Sequence, residues 1–206
     1  MLGDLSTRVR AQWREKAAGS AALTAFFCVP YFALQRVVLM RPRRFPPTAV
    51  DDAIDFDPRW TWVYQSGYVL IAIVPWLLDR RDDLARYIRT FVWVSLAGFA
   101  CFFFLPVIGP RPQTVPGTGM YALLISYDRP TNEFPSLHIA LMTLTILTAA
   151  RASRGRMASS QRVTVLSTAT AWAAAVGFAA LATKQHYAID LPAGLILAVA
   201  VDRWLA

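Results

Sequence analysis

Long stretches without a charged residue place this chain in the membrane. Four of them lie at residues 17–35, 60–78, 90–110 and 163–183. A helix of about 20 residues crosses the ~30 Å hydrocarbon core of a bilayer, because each helical residue adds about 1.5 Å. Each of the four stretches is therefore predicted to form a transmembrane helix.

Two shorter apolar stretches, 135–150 and 186–201, complete the set. They reach a full span if Arg151 and Arg203 at their ends extend their side chains to the interface. The predicted fold class is thus an all-α integral membrane protein with six transmembrane helices in one bundle. A length of 206 residues fits a single domain, 1–206, and leaves little room for a soluble one.

The composition agrees with this class of protein. Apolar residues make up 56% of the chain and charged residues only 17%, below the roughly 25% of a soluble domain. The net charge of +8 is clustered beside apolar segments, and no nucleic-acid recognition motif accompanies it, so nucleic acid is not expected as a partner. Cys28 and Cys101 lie inside apolar stretches and are interpreted as small packing residues.

The basic residues predict the topology. With the amino terminus in the cytoplasm, 13 Lys and Arg side chains fall on the inner side and 8 on the outer side, in the direction of the positive-inside rule. The outer eight are Arg36, Arg41, Arg43, Arg44, Arg59, Arg111, Arg129 and Lys184. Both termini are therefore predicted to be cytoplasmic, in a multi-pass protein of the cell membrane. The first apolar stretch exceeds a signal-peptide core and lacks a cleavage site, so it is expected to remain as a helix.

Two outer loops are rich in proline and are not expected to form regular helices throughout. Loop 109–135 contains a short apolar piece, 120–127, which is expected to lie flat at the interface as an amphipathic lid. Loop 41–59 carries an acidic run, which could hold a divalent cation. The run consists of Asp51, Asp52, Asp55 and Asp57. Because arginines flank it, a self-neutralising interface loop is the preferred interpretation, and no metal is assigned.

The two histidines, His138 and His186, both lie where an apolar segment meets an outer loop. The predicted topology puts them at the same membrane face. Ionisable residues within membrane segments mark functional sites. A lone histidine is more often structural, but two on one face, each within a polar cluster, favour function.

The first cluster is Asn-Glu-Phe-Pro-Ser-Leu-His, residues 132–138. Pro135 and Ser136 are typical of a helix start, where proline is preorganised and serine caps free N–H groups. The N–H groups of a first helical turn favour an anion, most often phosphate. A plain capped helix start would explain the proline and the serine but not His138, one turn further on.

The second cluster is Thr-Lys-Gln-His-Tyr-Ala-Ile-Asp, residues 183–190. His186 and Asp190 are four residues apart, so on a helix they share a face and can hydrogen-bond. A carboxylate on one ring nitrogen fixes the tautomer and frees the other nitrogen as a nucleophile or base. Lys184 adds a charge suited to phosphate oxygens. Two histidines and one aspartate make a weak metal site, so no metal and no cofactor is predicted.

Arg111 is the third candidate, held between Pro110 and Pro112 at the end of an apolar stretch. A rigid guanidinium is useful at a phosphate site. The alternative is an arginine that extends to the membrane interface.

The order of these clusters resembles the type 2 phosphatidic acid phosphatase superfamily. That superfamily's second and third motifs are PSxH and a histidine with an aspartate four residues on. Here Pro-Ser-Leu-His at 135–138 is followed by His-Tyr-Ala-Ile-Asp at 186–190, with the histidines 48 positions apart. The sequences FPSLH and TKQHYAID are most similar to the inositol phosphorylceramide synthase-like branch, and the resemblance covers about residues 60–205.

The resemblance implies an all-helical membrane enzyme with an outward-facing, metal-independent site and a phosphohistidine intermediate. By position in the motifs, His186 matches the nucleophile, Asp190 its orienting acid and His138 the general acid. Ser136 matches the phosphate-binding serine of the second motif.

Two positions differ from the family pattern. The usual lysine seven residues before the Arg-Pro of the first motif is Phe104 here, and the usual arginine six residues before the third-motif histidine is Ala180. Arg111 and Lys184 are the remaining cationic candidates for binding phosphate.

The predicted function is that of a phosphatase or phosphotransferase acting on a lipid-linked phosphate ester at the extracytoplasmic face. Its catalytic motifs lie within residues 105–190. The expected partners are a lipid phosphate, membrane lipids and, for a transferase, an alcohol acceptor such as inositol. The alternative from another class is a non-enzymatic transporter or lipid-binding scaffold. A channel would need polar residues through to the inner face, and stretches 135–150 and 163–183 are nearly all apolar there.

Overall fold

Helices account for most of the chain in the computed structural model, which describes Thr7 and residues 9–206. The described part is 70% helix and contains no strand. The helices are α1 Trp13–Arg36, α2 Ala49–Ala53, α3 Thr61–Leu77, α4 Arg81–Phe104, α5 Gly119–Tyr127, α6 Leu137–Ala152, α7 Ser159–Ala182 and α8 Asp190–Trp204. A 3-10 turn at Pro58–Trp60 precedes α3.

Each of the six apolar stretches overlaps one long helix. Helices α1, α4 and α7 have 24 residues each and are long and apolar enough to cross a membrane. Helix α6 is apolar and has 16 residues, while α3 has 17 and α8 has 15. The all-helical prediction is confirmed, and among the described residues three helices meet the length and composition expected of a membrane span.

Helix α6 lies at the centre and packs against α3, α4, α7 and α8. Its residues Ala140, Met142 and Leu144 are completely buried. Helix α1 lies at the edge, where it packs against α4 and, over a shorter length, against α3. Small residues allow the closest helix contacts, as is usual in membrane bundles. A Cβ added at Gly194 of α8 would lie 2.2 Å from the Ser136 carbonyl oxygen at the start of α6.

The first outer loop is more ordered than its prolines predict. The short helix α2 follows them, and the Thr48 and Asp51 side chains cap it reciprocally. Asp57 pairs with Arg59 at 2.8 Å, as a self-neutralising loop would. Asp51 also accepts a hydrogen bond from the Ala188 N–H at 2.8 Å, which fixes the loop to the second histidine cluster.

The apolar piece 120–127 forms helix α5, which packs against α3 with Tyr121 and Leu124 buried. Charged pairs lie at the opposite end of the bundle from the histidines. Asp202 there is bound by Arg151 and approached by Arg86. Arg8, which the topology prediction counts on the inner side, lies outside the described residues.

Candidate active site

Contacts between three segments assemble the site. The N–H of Ser136 donates to the carbonyl of Asp190 at 3.1 Å, so the start of α6 is joined to the start of α8. The segment after α4 is pinned on the other side, where Val107 forms bridges with Arg43 and Asn132. The segment that carries Arg111 is thereby fixed beside both histidine clusters.

His186 is buried in the turn between α7 and α8, and both of its ring nitrogens face polar groups. Its Nδ1 lies 3.3 Å from Asp190 Oδ2, and its Nε2 lies 3.1 Å from Ser136 Oγ. The same Asp190 oxygen accepts the Tyr187 N–H at 2.8 Å. With Nδ1 donating to the carboxylate, Nε2 carries a lone pair directed at Ser136.

A second carboxylate, that of Glu133, lies 3.4 Å from the same Nδ1 of His186. Burial raises the pKa of Glu133 to about 8, although attraction to His186 opposes the shift. Burial by itself lowers the pKa of His186, but the Asp190 hydrogen bond and the Glu133 charge outweigh it, so that pKa is raised. The Asp190 carboxylate, and Glu133 when it is ionised, therefore favour the protonated imidazole.

Arg111 is held by a hydrogen-bond network that could not be predicted from the sequence motifs. Its Nη2 donates to Asp128 Oδ2 and to Gln185 Oε1, each at 2.9 Å, and its Nη1 donates to the Asp128 carbonyl. Asp128 also accepts from Gln35 at 2.6 Å and from Tyr31 at 3.0 Å. Because Gln185 directly precedes His186, the guanidinium is anchored at the edge of the histidine cluster.

His138 is buried against α3, on the first turn of α6. Its ring packs between those of Tyr64 and Tyr68, with centroid distances of 4.6 and 4.4 Å. Neither ring nitrogen has a hydrogen-bond partner among the described residues. A Cβ added at Gly67 would come within 2.2 Å of His138 Nε2, so the glycine makes room for the imidazole.

The ammonium of Lys184 points toward the first outer loop, not toward His186. It donates to the carbonyl of Asp51 at 2.9 Å and to that of Ile54. Its backbone φ of 52° is left-handed, the conformation that commonly ends a helix. In this arrangement Lys184 ends α7 and fastens the loop.

Two local predictions differ in detail from the structure. Ser136 caps α6 as predicted, by accepting from the Ile139 N–H at 3.4 Å, but Pro135 precedes the cap and the helix begins at Leu137. His186 and Asp190 do contact each other, although α8 begins only at Asp190. A turn, and not a shared helical face, brings the imidazole to the carboxylate.

Three polar residues of the site were not predicted: Glu133, Asp128 and Gln185. A signal was present for Glu133 and Gln185, because each lies within a histidine cluster at a membrane face. Asp128 lies four residues before the first cluster and gave no such signal. The aromatic pair around His138 gave no such signal, since tyrosines are common near membrane interfaces.

Comparison with known sequences identifies the class of protein. The sequence model of the PAP2 superfamily matches residues 32–203, which include every candidate site residue. The chain therefore belongs to the PAP2 superfamily, and membership indicates phosphatase or phosphotransferase activity. No curated protein and no solved structure matches the chain.

Proposed function

We propose that this protein is a membrane-embedded lipid phosphate phosphatase or phosphotransferase that forms a phosphohistidine on His186. The observation that carries the proposal is the imidazole of His186, with a carboxylate at Nδ1 and Nε2 directed at Ser136. That is the arrangement of an oriented nucleophile, in which a base or nucleophile is itself positioned by a third group.

In the first step, His186 Nε2 attacks phosphorus and the bond between phosphorus and the lipid oxygen breaks. The departing alkoxide takes a proton, for which His138 is the donor. His138 suits this role because its ring is held by packing and its nitrogens are not committed to other residues of the site. Asp190 stabilises the positive charge that develops on His186.

In the second step, water or an alcohol attacks the phosphohistidine and the nitrogen–phosphorus bond breaks. His138, now unprotonated, accepts the proton of the attacking hydroxyl, which restores both histidines. Water makes the protein a phosphatase. With an alcohol such as inositol as the acceptor, the product is the phosphate ester of that alcohol and the protein is a transferase.

The phosphate oxygens would be held by Ser136 Oγ, the N–H groups at the start of α6 and Arg111. Phe104 and Ala180 stand where the family pattern has basic residues, so Arg111 bears more of the phosphate charge here. Lys184 would have to leave the carbonyls of Asp51 and Ile54 to join it. We therefore propose that Lys184 holds the first outer loop in place, in preference to a role in binding phosphate.

The proposed topology has six transmembrane helices, both termini in the cytoplasm and the site at the extracytoplasmic face. The 13-to-8 division of basic residues supports this orientation. In a protein with Cys28 and Cys101 replaced, Gly117→Cys is expected to react with an impermeant maleimide from outside intact cells. Ser159→Cys is expected to react only after permeabilisation. Reaction of both from the same side would contradict the topology.

Turnover of a lipid panel tests the proposal. Purified protein in detergent or nanodiscs is given polyprenyl, glycerolipid and sphingolipid phosphates, with and without inositol and EDTA. Release of inorganic phosphate indicates a phosphatase, and formation of inositol phosphate with release of the lipid alcohol indicates a transferase. Activity is expected to survive EDTA, because the proposed ligands of phosphate are protein groups.

The matched controls are His186→Ala, expected to be inactive, and Ser159→Ala at the opposite end of the bundle, expected to be unaffected. Loss of turnover in EDTA that one divalent ion restores would overturn the site assignment. Absence of turnover with every lipid, together with lipid binding that survives Asp190→Asn, would favour a transporter or scaffold.

A further inference from the structure

Helix α5, in the outer loop 109–135, carries a buried hydroxyl that the mechanism above does not use. Tyr121 lies in the first turn of this helix and is only 2% exposed. Its Oη is buried and has no hydrogen-bond partner among the described residues. Buried hydroxyls are nearly always paired, so an unpaired one calls for an explanation such as a role toward a ligand.

The surroundings of this hydroxyl belong to the candidate active site. The Arg111 guanidinium acts on it electrostatically, and the Gln185 side chain lies beside it. The Nε of Arg111 is also buried and without a partner in the described part of the chain, whereas both Nη atoms are committed to Asp128 and Gln185. Two uncommitted donors, one N–H and one O–H, therefore lie in the same part of the site.

The ring of Tyr121 is held in place by the first outer loop. The Phe56 ring meets it at an angle of 64°, with the ring centroids 5.0 Å apart. The next residue, Asp57, donates its N–H to the Ala182 carbonyl at 2.9 Å, which joins this loop to the end of α7. A donor fixed in this way needs little reorganisation when an anion binds.

The charges at the site explain what a neutral donor would add there. Arg111 is paired with Asp128 at 2.9 Å, so a carboxylate offsets much of the charge that would attract a phosphate. Lys184 donates instead to carbonyls of the first outer loop. Burial raises the pKa of Tyr121, so its hydroxyl keeps its proton at neutral pH and can donate it to an anionic oxygen in a hydrogen bond.

We propose that Tyr121 is a phosphate-binding residue, whose hydroxyl donates to a non-bridging oxygen of the phosphoryl group beside the Nε of Arg111. Helix α5 then supplies part of the site and does not only cover it. The proposal rests on the phosphatase or phosphotransferase function proposed above and adds a residue to the same site.

Tyr121→Phe tests the proposal, because it removes the hydroxyl and keeps the ring against Phe56. Orthovanadate, which has the shape and charge of phosphate, is titrated calorimetrically into the purified full-length protein in detergent. We expect its Kd to rise about tenfold, as for a lost hydrogen bond to a charged oxygen. We expect kcat for nitrophenyl phosphate to fall by a similar factor.

The melting temperature of the unliganded protein separates binding from a structural role. It is expected to stay the same or rise in Tyr121→Phe, because the hydroxyl removed is buried and unpaired. Tyr127→Phe is the matched control on the same helix, since it removes a hydroxyl that accepts from Gln65 at 2.6 Å. This variant is expected to leave the Kd for orthovanadate and the kcat unchanged.

The outcomes distinguish this proposal from the function on which it rests. An unchanged Kd in Tyr121→Phe, or an equal loss of affinity in Tyr121→Phe and Tyr127→Phe, would overturn the role of the hydroxyl and leave the proposed function intact. A lower melting temperature with an unchanged Kd would show a structural role instead. Failure of the unaltered protein to bind orthovanadate, or equally tight binding by His186→Ala, would overturn the proposed function itself.

Discussion

With a lipid phosphate as substrate, His138→Ala is expected to lower turnover by roughly 10²–10⁴-fold, because the departing alkoxide loses its proton donor. With nitrophenyl phosphate the leaving group is stable as an anion, so protonation contributes little. The same variant is expected to recover most of the rate of nitrophenolate release. Parallel assays of the two substrates measure the difference.

His186→Ala is expected to show no such recovery. A better leaving group cannot replace a missing nucleophile, so both substrates stay unreacted. Equal defects of the two histidine variants on both substrates would contradict the division of roles, even if both residues belong to the site.

Gly67→Ala extends this test to a residue outside the motifs. Its Cβ would come within 2.2 Å of His138 Nε2, so the imidazole must move from its place between Tyr64 and Tyr68. A defect that is larger on the lipid phosphate than on nitrophenyl phosphate is expected. Gly117→Ala is the matched control, because a Cβ added there meets nothing within 4 Å.

Asp190→Asn is expected to lower turnover by roughly 10²–10⁴-fold, since the imidazole remains but loses the charge that orients it. It should also move the pH profile. In the unaltered protein the pKa of His186 is raised, because the Asp190 hydrogen bond and the Glu133 charge outweigh the effect of burial. The nucleophile must be neutral, so activity is expected to rise with pH, with its midpoint above the usual histidine value of about 6.5.

Removing the Asp190 charge lowers the pKa of His186, so this midpoint is expected at lower pH even though the maximal rate is reduced. Asp52→Asn, an exposed carboxylate of the same loop as Asp51, is the matched control and should leave both rate and midpoint unchanged. A midpoint unaffected by Asp190→Asn would show that His186 is not the group that titrates.

The parts of the site that could be predicted from sequence are contacts between residues only a few positions apart in the chain. His186 and Asp190 are four residues apart, and in the structure they are in contact. Ser136 caps the helix that carries His138. The all-helical fold could also be predicted from the sequence, because an uncharged stretch of about 20 residues satisfies its backbone hydrogen bonds in a membrane by forming a helix.

The contacts that were missed depend on residues distant in sequence. Glu133 reaches His186 across 53 positions, which is the separation of their numbers in the chain. Asp128 meets Arg111 where Val107 joins the segment after α4 to Arg43 and Asn132. Lys184 was predicted from its charge to bind phosphate, and in the structure its ammonium donates to the carbonyls of Asp51 and Ile54 in the first outer loop. Sequence periodicity and charge do not indicate which of these distant side chains contact each other.

The most direct test of a covalent histidine mechanism is whether phosphate becomes bonded to His186 during turnover. Protein given a radiolabelled lipid phosphate is quenched rapidly in alkali, digested and mapped by mass spectrometry, with His186→Ala as the control. The expected result is a label that is stable in alkali, lost in acid and confined to the peptide that carries His186. An enzyme that turns over without acquiring the label, or that carries it on another residue, would contradict the mechanism.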